Sequence, residues 1–271
     1  MRVIKSVEEM QSRQISIMKY IHEFCVESDI KYFLAYGSLI GAIRHHGFIP
    51  WDDDIDICML RADYDRFLKY FPAWGKEKGL YLASSTSKEH FYPHTLAKVC
   101  DSNTVLIEKM LKINPELGIY VDVFCLDGIP DNTIKKWIHI KYGRLLKRLL
   151  VASNMDASSN AFLSHYNITK RLIIKSLNWI HPERVFRTLE EHSKRYKEKN
   201  TKEIMNLETS KPIVYKREWF EGVILQKFED EEFYIPVDYD PILRIEYGDY
   251  MQLPPKEKQI PHHVIDVWEK E

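Results

Sequence analysis

The amino-acid sequence predicts an α+β fold in which a mixed β-sheet is flanked by helices and carries a helical insert. Short apolar and aromatic runs with strand character recur through the first part of the chain, between helical patterns. The middle of the chain is helical in pattern, and the last part is rich in aromatic and turn-forming residues. We therefore divide the chain into a core (1–132), a basic helical insert (133–200) and a C-terminal segment (201–271) that completes the functional site.

The first element is a helix capped by Ser6, because Ser6 and Glu9 form the S-x-x-E pattern of a capping box. A short buried strand is predicted at Tyr32–Tyr36. It stops at Gly37-Ser38, which we interpret as a tight turn, and the chain then turns back as a helix at Leu39–His45.

A second strand contains the acidic cluster of the sequence. Because successive side chains of a strand point to opposite faces, Asp52, Asp54 and Asp56 are expected on one face. A later strand, Ile119–Phe124, places Asp122 among apolar neighbours. The further elements expected in the core are a helix and three strands: Asp63–Phe71, Leu80–Leu82, Thr95–Cys100 and Thr104–Ile107.

Composition limits the partners and the compartment. The chain has 271 residues, 45% of them hydrophobic, so it can bury a sizeable core. The 39 basic and 40 acidic residues leave a formal net charge of -1, and we expect no nucleic-acid partner. The cysteines form no C-x-x-C pair, and no signal peptide or membrane span is evident, which predicts a cytoplasmic protein with reduced thiols.

The density of carboxylates predicts a metal site. A buried carboxylate is costly unless a positive or hydrogen-bonding group receives it. Oxygen ligands favour a hard cation, Mg²⁺ or Mn²⁺, with Asp52, Asp54, Asp56 and Asp122 as candidate ligands. Zinc fits poorly, because no Cys or His pair has ligand spacing. By itself, the acidic run is also consistent with a solvated loop.

A metal beside a turn with several backbone N–H groups is the arrangement that phosphoryl transfer requires. Gly37-Ser38 supplies such a turn, since glycine allows close approach of a phosphate and serine adds a hydroxyl donor. Arg44 is a candidate second clamp on the phosphates. Lys98 is a further candidate, although such a lysine more often pairs with a surface acid.

The passage 34–59 resembles the LicD family, whose members share the nucleotidyltransferase fold. The motifs that carry this resemblance are Gly37-Ser38, Gly41-Ala42-Ile43-Arg44 and Ile49–Asp56. Further stretches that look like LicD signatures are Val121–Phe124 with Leu126–Gly128, and Tyr247–Met251 with Leu253–Pro255 and His262. The resemblance spans most of the chain and is weakest in the basic insert.

The resemblance implies a phosphotransferase. The family transfers phosphocholine, or a related phospho-alcohol, from a CDP-activated donor to a sugar of a surface glycan, such as lipopolysaccharide or teichoic acid, or of its lipid-linked precursor. By this likeness Asp54 and Asp56 are catalytic metal ligands, joined by Asp52. Asp122 is the third-strand carboxylate, which accepts the hydroxyl proton or completes a second metal site. His262 becomes a candidate donor-binding residue.

Two other functions stay open at this stage. A D-x-D motif also holds the metal of a nucleotide-sugar in glycosyltransferases, although the Gly-Ser pair before the acids argues against that class. A non-catalytic glycan-binding protein of the same fold would keep the pattern without the activity.

The insert and the C-terminal segment carry weaker signals. Between residues 133 and 180, nine basic residues face one acid and alternate with apolar ones. This is typical of a helix lying on an anionic membrane, here at the inner face, but a helix packed on the domain fits equally well. Trp219, Tyr247 and Tyr250 are candidates for a cation–π cage around a quaternary ammonium group, or for core packing.

Overall fold

The structure of the chain is a computed structural model. The residues that it describes are 2–4, 6–106, 111–113, 116–158, 167–208, 212–259 and 267–270. His262, the donor-binding candidate suggested by the resemblance, lies outside the described residues.

The helices follow the amphipathic patterns of the sequence. They are α1 (Val7–Glu27), α2 (Tyr36–Ile40), α3 (Arg61–Glu77), α4 (Thr133–Asn154), α5 (Ile168–Leu177), α6 (Pro182–Ser193) and α7 (Tyr239–Tyr247). As predicted, Ser6 caps α1, since its Oγ accepts a 3.1 Å hydrogen bond from the backbone N–H of Glu9. This bond satisfies one of the N–H groups that the first turn of a helix leaves unpaired.

The strands are mostly short. They are β1 (Arg2–Ile4), β2 (Phe33–Leu34), β3 (Asp56–Leu60), β4 (Leu80–Ala83), β5 (Ala97–Asp101), β6 (Thr104–Leu106), β7 (Tyr120–Ile129), β8 (Glu203–Met205), β9 (Val214–Lys216), β10 (Val223–Phe228), β11 (Glu231–Pro236) and β12 (Val267–Glu269). β10 and β11 form a hairpin, and β1, β12 and β6 form a small separate sheet.

The largest sheet confirms the predicted α+β class. Its strand order is β2-β3-β7-β5-β4, and β8 and β9 extend it from the far end of β7. β3 and β7 run parallel, whereas the other described pairs of this sheet are antiparallel, so the sheet is mixed. Helices α1 and α3 pack on the sheet and on each other, with Phe24 edge-on to Phe71 at 5.2 Å between ring centroids.

The Gly-Ser motif is not the turn that we predicted. Gly37 and Ser38 lie inside the first turn of α2, which begins at Tyr36. Tyr36 has a positive φ of 49°, and this left-handed conformation ends β2 early and leads the chain directly into the helix. The helix then continues as one turn of π-helix at Gly41–His45, a distortion common near functional sites.

The acidic strand also begins later than predicted. β3 starts at Asp56, so residues 52–54 form a loop before it. The alternation of strand faces therefore does not apply to Asp52 and Asp54, and their positions follow from contacts instead.

Helices α4 and α6 pack together with a small core of their own. Its buried residues are Ile129, Leu146, Leu150, Val185, Phe186, Leu189, Met205 and Leu207. His139 of α4 stacks on His192 of α6 within this layer, with ring centroids 4.0 Å apart. Burial, followed by the neighbouring His192, lowers the pKa of His139 to about 4.

We expect the free energy of unfolding to fall as the pH decreases from about 6.5 towards 4. The unfolded state binds more protons than the folded state in this window, because His139 titrates at about 4 when folded and near 6.5 when unfolded. Urea unfolding at about pH 7.5 and about pH 5 measures this change, and His139→Gln should reduce it by on the order of 1–2 kcal/mol.

His181→Gln, at an exposed histidine, is the matched control and should leave the pH dependence unchanged. An identical pH dependence in wild type and His139→Gln would contradict a role for the buried ring.

Candidate active site

The site is built on three neighbouring strands of the mixed sheet. In the parallel pair of β3 and β7, Asp56 lies directly beside Asp122. In the antiparallel pair of β7 and β5, Asp122 lies directly beside Lys98. Because residues paired across strands share a face, the three side chains form a row on one side of the sheet. The predicted meeting of Asp56 and Asp122 therefore occurs.

Asp56 lies in a strongly negative environment. Burial, followed by the charges of Asp54, Asp122 and Asp52, raises the pKa of Asp56 well above its ordinary value, while Lys98 opposes this shift. Carboxylates this close cannot all stay ionised unless a cation lies among them. The donor atoms are oxygens only, which suits Mg²⁺ or Mn²⁺.

Lys98 is the buried partner of Asp122. Its Nζ lies 2.7 Å from Oδ1 of Asp122, and the residue is only 4% exposed. The ammonium also lies 3.5 Å from the centroid of the Tyr120 ring and 5.7 Å from that of Tyr92. Of the two interpretations that the sequence left open, pairing with an acid is the one seen, but the acid is in the site and not on the surface.

The acidic loop brings together three consecutive carboxylates. Oxygens of Asp52, Asp53 and Asp54 lie within 4.8 Å of one another. The amide of Gln11 donates to the carbonyl oxygen of Asp52 at 2.9 Å, and that of Gln14 donates to the carbonyl oxygen of Asp53 at 3.0 Å. Sequence reasoning left Asp53 out, because strand alternation would have pointed it away from the other two.

Gly37 and Ser38 hold the acids in place. A side chain at Gly37 would put its Cβ 2.5 Å from Oδ2 of Asp52, so a larger residue would displace that carboxylate from its present position. The buried hydroxyl of Ser38 accepts a 2.9 Å hydrogen bond from the backbone N–H of Asp56. These two contacts hold the start of α2 against Asp52 and Asp56, the first and last acids of the run.

Arg44 binds the C-terminal segment. Its Nη1 donates to the carbonyl oxygen of Tyr250 at 2.5 Å and, more weakly, to that of Gln252 at 3.4 Å. Partial burial lowers the pKa of its guanidinium. Arg44, our candidate phosphate clamp, thus connects the π-helical turn to the segment after α7.

The end of α7 adds Glu246, to which sequence reasoning assigned no role, and Tyr247, a candidate for the cation–π cage. Partial burial and the charges of Glu246 and Asp56 raise the pKa of the half-exposed Tyr247, so this residue lies within the field of the acidic cluster. Glu246 accepts a hydrogen bond from the Tyr215 hydroxyl, and burial raises the pKa of Glu246 to about 7. The Tyr247–Met251 motif was the sequence signal that indicated a functional role for the end of α7.

A partly buried carboxylate, Glu208, joins the site to the insert. Glu208 lies 3.4 Å from Nδ1 of His94 and 3.2 Å from Nζ of Lys147 on α4, and it accepts from the backbone N–H of Thr95. Burial acts to raise the pKa of Glu208, but the hydrogen bond with His94 and the charge of Lys147 hold it well below its ordinary value. His94 stacks on Tyr92 at 4.2 Å between ring centroids, next to the buried lysine.

Comparisons with known proteins match the whole chain to one family. The sequence profile of the LicD/FKTN/FKRP nucleotidyltransferase domain matches residues 29–140. The chain is 30% identical to the lipopolysaccharide cholinephosphotransferase LicD of Haemophilus influenzae over 271 residues, which is 97% of this chain and 98% of that protein. The profile covers the acidic loop, β3 and β7, and so includes every carboxylate of the predicted metal site.

Two rickettsial proteins match shorter parts. An uncharacterized protein of Rickettsia typhi is 43% identical over 56 residues, 21% of this chain and 18% of that protein. An uncharacterized protein of Rickettsia prowazekii is 29% identical over 116 residues, 43% of this chain and 40% of that protein.

Across the described ranges, no helix combines the length and the apolar character that crossing a membrane requires.

Lys98→Met is expected to lower the free energy of unfolding by about 3–5 kcal/mol, because it leaves the Asp122 carboxylate buried without its cation. The double variant Lys98→Met/Asp122→Asn should recover most of this loss, since it removes both charges. Urea unfolding measures both effects. Lys216→Met is the control: it breaks an exposed pair with Glu218 and should cost at most about 1 kcal/mol.

If Lys98→Met were as stable as wild type but bound the donor more weakly, Lys98 would be a donor ligand and not the structural partner of Asp122.

Proposed function

The chain belongs to the LicD family, and we propose that it transfers a phospho-alcohol from a CDP-activated donor to a sugar hydroxyl. As a member of this family it is a transferase of the LicD type. The group that we propose is phosphocholine, and the acceptor is a cell-surface glycan, lipopolysaccharide in the first instance, or its lipid-linked precursor. The support for these specifics is the name of the Haemophilus influenzae relative, which matches this chain from end to end.

The pairing of Asp56 with Asp122 is the observation that carries the proposal. These two acids lie side by side on parallel strands, and the loop at residues 52–54 lies next to them. Five carboxylates gather in one region, and the charges of its neighbours help to raise the pKa of Asp56, which favours the binding of a cation there. A glycan-binding protein without catalysis would have no evident use for this concentration of acids.

We propose Mg²⁺ or Mn²⁺ as the cation that binds among these carboxylates. Asp54, Asp56 and Asp122 would hold it, with Asp52 or Asp53 from the loop. Such an ion, when bound, neutralises charge on the donor pyrophosphate and on the leaving CMP. The raised pKa of Asp56 supports this donor set, because a cation restores the ionised form of a crowded carboxylate.

The transfer itself is an in-line displacement. The oxygen of the sugar hydroxyl forms a bond to the phosphorus of the phosphocholine group, the bond from that phosphorus to the CMP oxygen breaks, and CMP leaves with the electron pair. Asp122 would accept the hydroxyl proton; alternatively, it would help to hold a second cation, and the proton would pass to solvent. Lys98 keeps the Asp122 carboxylate in position for either role, since its ammonium donates to Oδ1.

Gly37, Ser38 and Arg44 remain our candidates on the donor side. The start of α2 contacts Asp52 and Asp56, so a phosphate near the acids would also be near its N–H groups. His262 remains a candidate on the resemblance alone.

Tyr247 is the best-supported candidate for the choline end of the donor. It is 47% exposed and lies near the acids. Tyr250, by contrast, is buried, and its hydroxyl donates to Asp240 at 2.8 Å. A tyrosine ring beside a phosphate site can hold a quaternary ammonium group through its face.

The test of the proposed function is metal-dependent CMP release. Purified protein is incubated with CDP-choline or with UDP-sugars, with and without Mg²⁺, in the presence of a lipopolysaccharide acceptor. We expect CMP from CDP-choline with Mg²⁺ only. UDP release from UDP-sugars would identify a glycosyltransferase, and no metal-dependent donor binding in a calorimeter would identify a non-catalytic protein.

Asp56→Asn is expected to reduce CMP release at least about a hundredfold, because a metal ligand supplies several kcal/mol of transition-state stabilisation. The variant should fold, since it removes one of several mutually repelling carboxylates. In a thermal melt, Mg²⁺ with CDP-choline should raise the Tm of the wild type and leave that of the variant unchanged.

Asp230→Asn, at an exposed acid in the turn between β10 and β11, is the control and should behave as wild type in both assays. Unchanged turnover in Asp56→Asn would remove the metal proposal.

A further inference from the structure

Helix α4 has an apolar face that stays exposed among the described residues. Its inner face buries His139, Gly143, Leu146 and Leu150. Its outer face exposes large apolar side chains at helical spacing: Ile134, Trp137, Ile138, Tyr142 and Leu145. Each of these is more than 40% exposed, and Trp137 is 62% exposed. Core packing, our alternative explanation for the apolar residues of the insert, therefore accounts for only one side of α4.

Helix α5 repeats this arrangement. It packs against α4, yet it has no fully buried residue among those described. Its exposed apolar residues are Ile168, Leu172 and Ile173, and Trp179 just beyond its end is 79% exposed. Ile168 and Leu172 are four positions apart and so lie on one face of α5. We call the exposed apolar residues of α4, α5 and Trp179 the insert surface.

The charge around the insert surface is almost entirely positive. Residues 133–180 contain nine basic residues and one acid, Asp156. Lys136 and Lys147 are bound by acids of the C-terminal segment, Glu203 and Glu208. The exposed basic residues beside the apolar ones are Lys135, Lys141, Arg148, Lys170 and Lys175.

The combination of apolar and basic residues indicates which kind of partner the insert surface binds. Two copies of the insert surface would bring like charges together, which opposes a dimer. Nucleic acid would satisfy the basic residues but leave two tryptophans and several branched side chains in water. An anionic lipid bilayer satisfies both, because apolar side chains enter the acyl boundary while lysines reach the headgroups.

We propose that the insert surface binds the face of an anionic phospholipid bilayer. The aromatic and branched residues of α4 and α5 would lie at the level of the headgroups, where tryptophan is favoured. Each basic residue near an anionic surface strengthens binding about fivefold, so the contact weakens as salt screens it. This inference does not depend on which group the active site transfers.

Vesicle sedimentation tests the proposal. The 271-residue chain is mixed with vesicles of phosphatidylcholine alone, or of equimolar phosphatidylcholine and phosphatidylglycerol, at low and at high salt. We expect sedimentation with the mixed vesicles at low salt, a loss of at least about tenfold in affinity at high salt, and weak binding to phosphatidylcholine alone.

The decisive variant is Leu172→Glu/Trp179→Glu, which should bind the mixed vesicles at least about tenfold more weakly. The matched control, Ile224→Glu/Leu225→Glu, places the same charges on the exposed β10–β11 hairpin and should bind as wild type. Mg²⁺-dependent binding of CDP-choline, measured on the same samples by calorimetry, reports separately on the active site and should be unchanged in both.

Three results would overturn the proposal. The first is no binding of the wild type to mixed vesicles at either salt. The second is equal binding of both double variants. The third is self-association of the wild type in the ultracentrifuge that Leu172→Glu/Trp179→Glu abolishes, which would assign the insert surface to a second copy of this chain.

Discussion

The pairing of β3 with β7 determines where every other part of the site must be. It places Asp56 against Asp122, and the antiparallel neighbour β5 then brings Lys98 to the other side of Asp122. One lysine offsets one carboxylate, so the sheet alone leaves a surplus of negative charge. The loop at residues 52–54 increases this surplus, and the start of α2 is shaped around it.

Local patterns predict the acids well and their partners poorly. Alternation along a strand is enough to place Asp56 and Asp122 on strand faces, because it depends on adjacent residues only. The pairing of Lys98 with Asp122 depends on which strand lies next to β7, and no local pattern encodes that. Gly37 and Ser38 were predicted to matter because they would form a tight turn. In the structure the left-handed backbone at Tyr36 leads directly into α2, so both residues lie in a helix. Asp53 was missed because the loop does not follow strand geometry.

The insert contacts the rest of the protein on its inner side and is exposed on its outer side. On its inner side, Lys147 reaches Glu208, whose neighbour His94 stacks on Tyr92 beside the site. On its outer side, α4 presents tryptophan and isoleucine to the surroundings. Helix α4 therefore has one buried and one exposed apolar face. The sequence pattern alone does not show which apolar residues are buried and which are exposed.

The contact between Gly37 and Asp52 has a consequence for the history of this sequence. Because a Cβ at position 37 would lie 2.5 Å from Oδ2 of Asp52, a larger residue at 37 requires the carboxylate at 52 to move. Such a change would displace one acid of the site, whereas a shorter residue at 52 would leave room for alanine at 37. Correlated substitution at these two sites would therefore record, across relatives, the same steric limit that the structure displays in one molecule.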